Sequence, residues 1–124
     1  MRRQLRLAVV DDEDQILKIC GTYFDREGYD VTIFSSGEDL LQALSVGYRP
    51  HAVILDVLMP GKSGFDICRS IKTNKLYKST KVIIFTALSQ EAVQHQAELS
   101  GADACITKGA DLTHMTSMIS SMVG

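Results

Sequence analysis

Short apolar runs alternate with amphipathic segments along the whole chain, and this alternation limits the fold more than any other feature. The apolar runs are 5–10, 29–34, 52–55, 82–85 and 104–107. Runs such as Ala52–Leu55 and Val82–Phe85, which lack polar residues, are typical of parallel strands buried on both faces. The pattern therefore predicts five βα units in an α/β fold. Right-handed crossovers would build them into a five-stranded parallel sheet with helices on both faces.

The segments between the runs place apolar residues at helical spacing. The predicted helices are 14–27, 38–46, 65–74, 90–99 and 112–123. Gly28 suits the C-terminal stop of the first helix, and Ser36 suits the N-cap of the second. The last helix carries a stripe of apolar residues that should face the core, made of Leu112, Met115, Ile119 and Met122.

Length and charge restrict the class of protein. A chain of 124 residues has the usual size of one domain, so a single domain is predicted over 1–124. A net charge of -2 without a basic stripe argues against direct binding of nucleic acid by this segment. No apolar run is long enough to cross a bilayer, so we expect a cytoplasmic protein without a membrane partner.

Several residues that attract attention are interpreted as structural or solvated. The isolated Cys20, Cys68 and Cys105 are expected to be buried thiols in a reducing compartment, because their spacing suits no metal site. The three histidines are scattered, and we expect surface or strand-edge positions for them: His51, His95 and His114. The three arginines near the start are interpreted as a solvated leader: Arg2, Arg3 and Arg6.

Polar side chains of different kinds follow four of the apolar runs. In chain order they are Asp11 with Asp12, then Asp56, Thr86 and Lys108. Because the carboxyl ends of parallel strands meet at one edge of a sheet, these side chains should converge there. Crowded carboxylates need a cation, and a lysine beside them needs an anion. A magnesium ion and a phosphoryl group satisfy both requirements.

Four motifs at these strand ends resemble the receiver domain of bacterial two-component response regulators. They are Val9-Val10-Asp11-Asp12-Glu13, Leu55-Asp56-Val57-Leu58-Met59-Pro60-Gly61, Phe85-Thr86-Ala87 and Thr107-Lys108. The resemblance covers nearly the whole chain, including Gly28-Tyr29 and Gly101-Ala102-Asp103. It implies a flavodoxin-like, doubly wound sheet with the strand order 2-1-3-4-5.

The resemblance also implies a function. Asp56 would accept a phosphoryl group from a histidine kinase or a histidine phosphotransfer protein. The chain would then act as a phosphorylation-dependent switch for a downstream protein or effector domain. It would not be an enzyme beyond its own phosphorylation and slow dephosphorylation. A homodimer through the neutral outer face of the last helix is a further candidate.

Roles at the site follow from the same resemblance. Asp12 and Asp56 would ligate Mg²⁺ directly, Asp11 would act largely through water, and the backbone carbonyl of Leu58 would supply another oxygen. The phosphoryl oxygens would be held by three further groups: the Lys108 ammonium, the Thr86 hydroxyl and the backbone N–H of Ala87.

The sequence departs from the family pattern at three places. Cys105 occupies a position that usually carries Tyr or Phe, so an aromatic switch is not expected there. Gly109 replaces the proline that usually follows the lysine. Because a cis bond without proline costs roughly 2.5–4 kcal/mol, Lys108–Gly109 should be trans or its loop more mobile. Leu58 and Leu88 should flank the phosphoryl group, and neither can orient an attacking water.

Two other functions compete with the switch. Phosphatases of the haloacid dehalogenase class also use a strand-end aspartate with magnesium. They need a second acid two residues further on, where this chain has Leu58, and a cap for which the chain is too short. The main alternative is a pseudo-receiver, a protein-interaction module that acts without phosphorylation.

Overall fold

The computed structural model describes residues 4–109 and 111–123, which form one parallel sheet with helices on both faces. The strands are β1 (Arg6–Val10), β2 (Asp30–Phe34), β3 (Ala52–Leu55), β4 (Lys81–Thr86) and β5 (Ala104–Thr107). The helices are α1 (Asp14–Arg26), α2 (Gly37–Ser45), α3 (Gly64–Thr73), α4 (Gln90–Ser100) and α5 (Leu112–Val123). The strand order is β2-β1-β3-β4-β5, so the predicted flavodoxin-like topology is confirmed.

Alternate residues of the strands face two separate hydrophobic cores. On one face, α1 and α5 cover residues such as Val9 and Ile54. On the other face, α2, α3 and α4 cover residues such as Val10 and Leu55. Burial of both faces explains why β3 and β4 are almost entirely apolar in sequence. The predicted stripe on α5 lies against the first core, with Met115 and Ile119 fully buried.

Helix ends form where the sequence predicts them. The hydroxyl of Ser36 accepts a hydrogen bond from the backbone N–H of Asp39 at 3.1 Å and so caps α2. Gly28 follows α1 with φ +93°, a left-handed conformation that glycine adopts without strain. The boundaries of all five helices and five strands lie within one residue of the predicted ones.

The register of the strands brings polar residues together at one edge. Val10 pairs with Leu55 at the ends of β1 and β3, and the N–H of Asp56 donates to the Val10 carbonyl at 3.1 Å. Asp11 and Asp56 therefore leave neighbouring strands side by side. At the other pair, the N–H of Lys108 donates to the Thr86 carbonyl at 2.6 Å, so β5 delivers the lysine next to β4.

Two interpretations of isolated residues need correction. Cys20 and Cys68 are buried as expected, whereas Cys105 is half-buried, because β5 is an edge strand with fewer neighbours. Arg6 is not part of a solvated leader: it begins β1, and its Nε donates to the Arg49 carbonyl at 2.8 Å. Arg2 and Arg3 lie outside the described residues.

The histidines and the surface agree with the interpretation from sequence. His95 and His114 are exposed, and His51 lies at the edge of the sheet, where its Nδ1 accepts the N–H of Arg6 at 2.9 Å. Within residues 4–109 and 111–123, none of the helices has the length and apolar character that a membrane span requires.

Candidate functional site

Four acidic side chains gather at the carboxyl edge of the sheet. Asp11, Asp12, Glu13 and Asp56 each offer one carboxylate oxygen, and these oxygens lie within 4.8 Å of one another. Asp11 and Asp56 are buried, with exposed fractions of 1% and 3%, whereas Asp12 and Glu13 are exposed. The cluster therefore has two desolvated carboxylates at its base and two solvated ones at its mouth.

Lys108 supplies a positive charge to this cluster. Its Nζ lies 2.7 Å from Oδ2 of Asp11, 3.2 Å from Oδ2 of Asp56 and 3.4 Å from Oε1 of Glu13. The lysine side chain is only 13% exposed. One ammonium group thus contacts three of the four carboxylates, which leaves the cluster with a net negative charge.

Each buried carboxylate uses one oxygen to hold the loop that follows it. Oδ1 of Asp11 accepts the backbone N–H of Glu13 at 2.9 Å, and Oδ1 of Asp56 accepts the N–H of Leu58 at 3.2 Å. Both bonds join residues two apart, as in a turn that an aspartate stabilises. The orientations of the two carboxylates are therefore set, and the Oδ2 atoms are the ones that face Lys108.

Oδ2 of Asp11 has no hydrogen bond within the described part of the chain, although it is buried. Lys108 approaches it within ion-pair distance but without hydrogen-bond geometry. In the metal-free protein the Lys108 ammonium is the counter-ion of this buried oxygen and offsets part of the cost of burying the carboxylate. The ligand atoms that the acidic cluster offers to a metal are all carboxylate oxygens, and Mg²⁺ prefers such ligands. The residues present therefore fit a magnesium ion.

Burial and charge shift the protonation of the site in opposite directions. Burial, reinforced by the negative charge of Asp11, raises the pKa of Asp56 above its ordinary value, against the lowering effects of the Leu58 N–H and Lys108. Burial alone would lower the pKa of Lys108, but its pairing with Asp11 and Asp56 outweighs burial and raises it. The lysine is therefore charged at neutral pH.

Thr86 lies at the same edge but takes no part in the ion pairs. Its side chain is buried at the end of β4, and Oγ1 accepts the N–H of Leu88 at 3.2 Å. Among the described residues, its hydroxyl makes no hydrogen bond to Asp56 or Lys108. Ala87 follows it and is exposed.

Two leucines border the site. Leu58, two residues after Asp56, is 54% exposed, and Leu88, two residues after Thr86, is exposed as well. Both are large apolar side chains in contact with solvent. Neither can polarise a water molecule near Asp56.

Gly64, the first residue of α3, packs directly on the backbone of the loop that follows β3. A Cβ atom at this position would lie 2.6 Å from Cα of Val57 and closer still to the carbonyl oxygen of Asp56. Only glycine permits this approach without a shift of the backbone. The glycine therefore helps to fix Asp56 through the main chain.

The peptide that follows the lysine is trans, since no cis bond occurs between described residues. Gly109 has φ +101°, which a residue with a side chain would adopt only with strain. The prediction of a trans peptide bond between Lys108 and Gly109 is confirmed. Lys108 reaches Asp11 and Asp56 without a cis proline after it.

Glu13 is the site residue that the sequence analysis missed. It belongs to the same motif as Asp11 and Asp12, but it follows the strand end by three residues. The strand pattern therefore does not predict where its side chain points. In the structure it contacts Lys108 at 3.4 Å and joins the acidic cluster. The signal that would have revealed it is the uninterrupted run of carboxylates from 11 to 14.

Comparison with known proteins gives a consistent family. Residues 7–120 match the model of the response regulator receiver domain. The chain is 39% identical over 102 residues to the response regulator SaeR of Staphylococcus aureus strain USA300, an alignment that covers 82% of this chain and 43% of SaeR. The chain therefore spans less than half the length of this curated relative.

Solved structures agree with the sequence comparison. The BeF3-activated DrrB receiver domain superimposes with a TM-score of 0.85 at 32% identity, covering 98% of each chain. The chemotaxis response regulator CheY4 of Vibrio cholerae superimposes with a TM-score of 0.86, covering 97% of this chain and 99% of CheY4. At 23% identity, the second comparison supports the shared fold alone.

Proposed function

The chain belongs to the response regulator receiver domain family, and we propose that it is a phosphorylation-dependent switch of a two-component system with Asp56 as its phosphoacceptor. One observation carries this proposal: the buried Asp56 carboxylate lies 3.2 Å from the Lys108 ammonium, inside a cluster of acidic groups that fits a divalent cation. Members of this family are signalling switches rather than conventional enzymes.

In the proposed reaction, a carboxylate oxygen of Asp56 forms a bond to phosphorus. The bond between phosphorus and the nitrogen of a phosphorylated histidine breaks, and its electron pair returns to the imidazole ring. Asp56 becomes an acyl phosphate. Because Oδ1 of Asp56 is held by the Leu58 N–H, the carboxylate is oriented before the donor arrives, which lowers the entropic cost of the reaction.

Four residues are proposed to hold Mg²⁺. Asp12 and Asp56 would bind it directly, Asp11 would act largely through water, and the Leu58 carbonyl would add an oxygen. Bound there, the ion would neutralise the charge that develops on the phosphoryl oxygens. Two further side chains tune the site: Lys108 compensates the buried carboxylates, and Glu13 compensates Lys108.

Three groups are proposed to hold the transferred phosphoryl group. The Lys108 ammonium is already 3.2 Å from the acceptor carboxylate. The Thr86 hydroxyl, which accepts the Leu88 N–H, would donate its own hydrogen to a phosphoryl oxygen, and the backbone N–H of Ala87 would donate alongside. A turn of the Thr86 side chain toward the phosphoryl group would release the Leu88 N–H, move the loop after β4 and so link the site to the surface.

The donor would be a histidine kinase or a histidine phosphotransfer protein, and the output a downstream protein or effector domain. These partners belong to the whole protein and are proposals for this chain, because the chain covers 43% of the length of SaeR. We further propose that residues 1–124 act as one receiver domain in the cytoplasm, with a homodimer as an additional candidate assembly.

Intact mass measurement tests the proposal. The protein is incubated with phosphoramidate and MgCl₂, and the mass of one phosphoryl group should be added. Asp56→Asn should abolish the adduct, whereas the matched variant Asp25→Asn, at an exposed position on α1, should keep it. An adduct that persists in Asp56→Asn contradicts the assignment. Failure of the unaltered protein to gain mass would favour a pseudo-receiver.

A further inference from the structure

The charges of the chain are segregated along its sequence. Residues 67–90 contain no Asp or Glu, whereas five basic residues recur there at nearly regular intervals: Arg69, Lys72, Lys75, Lys78 and Lys81. This segment covers most of α3, the loop after it and β4. Its exposed part lies toward the amino-terminal edge of the sheet, opposite the edge that carries Asp56. The chain therefore has a basic region far from the acidic site, although its net charge is -2.

A cleft of about 320 Å³ opens at this amino-terminal edge. It lies between the starts of β1, β3 and β4, the loop before β4 and the end of α5. Arg6, Arg49 and Lys81 supply its basic lining, and no carboxylate is among the described residues that line it. Lys81 has an acidic partner outside the lining, since its Nζ lies 4.0 Å from Oδ1 of Asp103. We call this feature the basic cleft.

The two arginines of the basic cleft are held in place by hydrogen bonds to backbone carbonyls. Nε of Arg6 donates to the Arg49 carbonyl at 2.8 Å. Nη1 of Arg49 donates to the carbonyls of Leu44 and Tyr48 at 2.7 and 2.8 Å. Its guanidinium also lies 5.1 Å from the centre of the Tyr77 ring. In the described part of the chain, neither guanidinium forms an ion pair with a carboxylate.

A purely structural role accounts for part of this arrangement. Arg49 satisfies carbonyls at the end of α2, as basic side chains often do at helix C-termini. That role uses one of its three nitrogens, and in its contacts with the described residues Arg6 likewise donates through Nε alone. The other nitrogens of both guanidinium groups remain available to an anionic ligand. Because their side chains are already held in place, binding would cost less conformational entropy than at free arginines.

The same cleft has an apolar part. Leu76 is 70% exposed beside the cations, and Met122 and Val123 at the end of α5 are half-buried in the lining. A large exposed leucine next to arginines is a poor match for a bare phosphate or a nucleic-acid backbone. It matches a peptide in which acidic and aliphatic side chains are close together.

We propose that the basic cleft binds an acidic peptide segment of a partner protein. Carboxylates of the segment would pair with the guanidinium groups of Arg6 and Arg49, whose planar shape suits carboxylate oxygens. An aliphatic side chain of the segment would pack on Leu76. This surface is distinct from the acidic cluster, so it would work whether or not Asp56 is phosphorylated, and it gives the domain a second docking site.

Two-dimensional NMR with the ¹⁵N-labelled protein tests this proposal. The probe is the synthetic peptide acetyl-Asp-Leu-Glu-Glu-Leu-Asp-amide, and the control peptide replaces every acidic residue by its amide. The acidic peptide should shift backbone resonances around Arg6, Arg49, Leu76 and Lys81, with no change near Asp56. The amide peptide should not. Saturable shifts at the cleft support the proposal, and shifts spread evenly over the surface overturn it.

Substitutions in the protein distinguish binding of the acidic peptide in the basic cleft from its general attraction to positive charge. Arg6→Gln and Leu76→Ser should each raise the dissociation constant roughly two- to fivefold, the range for a partly exposed contact. Lys18→Gln, on the exposed side of α1, changes the net charge equally and should leave binding unchanged. Equal weakening by Lys18→Gln overturns the proposal.

Two checks complete the test. The spectrum of each variant without peptide shows whether the fold is intact, and Arg49→Gln is avoided because it would uncap α2. A 12-nucleotide single-stranded DNA should bind more weakly than the peptide. Tighter binding of the DNA in the same cleft would show a general polyanion surface and overturn the proposal. Arg6→Gln should still be phosphorylated normally. That outcome would show that its weaker peptide binding is independent of the function proposed for Asp56.

Discussion

Nζ of Lys108 lies 2.7 Å from Oδ2 of Asp11, a buried carboxylate oxygen to which none of the described residues donates a hydrogen bond. Asp11 also belongs to the acidic cluster that fits Mg²⁺. The lysine is therefore the internal counter-ion of the site, and a metal ion that approaches Asp11 has to compete with it. Lys108 should consequently weaken the binding of the metal and strengthen the retention of the phosphoryl group.

Replacement of the lysine tests this competition. In Lys108→Gln, Mg²⁺ should bind at least about tenfold more tightly, because a unit charge about 4 Å away is worth up to about 4 kcal/mol at an effective dielectric near 20. The phosphoryl adduct should form more slowly in the same variant. Calorimetric titration and intact mass measure the two effects. Lys62→Gln, an exposed cation outside the ion pairs, is the matched control, and unchanged or weaker Mg²⁺ binding in Lys108→Gln would refute the competition.

Crowding of like charges should destabilise the metal-free protein. Four carboxylates share one ammonium group, so Asp12→Asn should raise the melting temperature in chelator while weakening Mg²⁺ binding. Asp12 is exposed, which limits the gain to less than about 1 kcal/mol and the shift to at most about 5 °C. Thermal scans in EDTA measure it. A variant that melts at or below the unaltered protein would show that the crowding is already relieved by solvent.

The raised pKa of Asp56 predicts a pH dependence of stability. Such a carboxyl group has a higher pKa in the folded protein than in the unfolded protein. At a pH between these two pKa values, it is protonated in the folded state and ionised in the unfolded state. The contribution of Asp56 to the free energy of unfolding should therefore fall as the pH rises from about 4 through the raised pKa, and stay lower above it.

Asp56→Asn should remove this dependence. In chelator its stability should match that of the unaltered protein near pH 4 and exceed it at pH 7. Urea denaturation at a series of pH values measures the difference, with Asp25→Asn as an exposed control. The idea does not survive if the two proteins differ equally at all pH values, or if Asp56→Asn is the less stable at pH 7.

Much of the fold and site was predictable because it follows from strand periodicity. A parallel sheet places the residues after each strand at one edge, so Asp11, Asp56 and Lys108 had to converge once the five runs were recognised as strands. The register of Val10 with Leu55 then brings the two aspartates side by side. Caps at Ser36 and Gly28 followed from local chemistry alone.

Contacts made by loops were not predictable in the same way. The ion pair of Glu13 with Lys108 joins residues 95 positions apart, and Glu13 has no place in the strand alternation. The hydrogen bond of the Thr86 hydroxyl depends on how the chain turns toward Leu88. Cys105 is half-buried because β5 lies at the sheet edge, a consequence of topology rather than of its residue type.

The exposed leucines predict a long-lived phosphoryl group. Leu58 and Leu88 cannot orient a water for attack, so spontaneous loss of the phosphoryl group should be slow. Leu58→Asn introduces a polar side chain there and should accelerate the loss at least about tenfold, since a well-placed polar group contributes 10²–10⁴-fold at best. Decay of the adduct followed by mass spectrometry measures the rate, with the exposed Leu99→Asn as control. Equal or slower decay in Leu58→Asn would count against the hypothesis.

Gly64 should be the position at which a methyl group does most harm. Alanine normally stabilises a helix relative to glycine by up to about 1 kcal/mol. At Gly64, however, the new Cβ would meet the backbone of Asp56 and Val57, so Gly64→Ala should destabilise by about 1–3 kcal/mol, as overpacking does. Gly21 in α1 is the matched control, because its Cβ would lie at an ordinary 3.5 Å from Ile33. Urea denaturation should show Gly21→Ala neutral or more stable and Gly64→Ala less stable. Because the clash displaces the main chain that carries Asp56, the surviving folded Gly64→Ala should also form its phosphoryl adduct more slowly, whereas normal stability and rate would show that α3 does not position the acceptor.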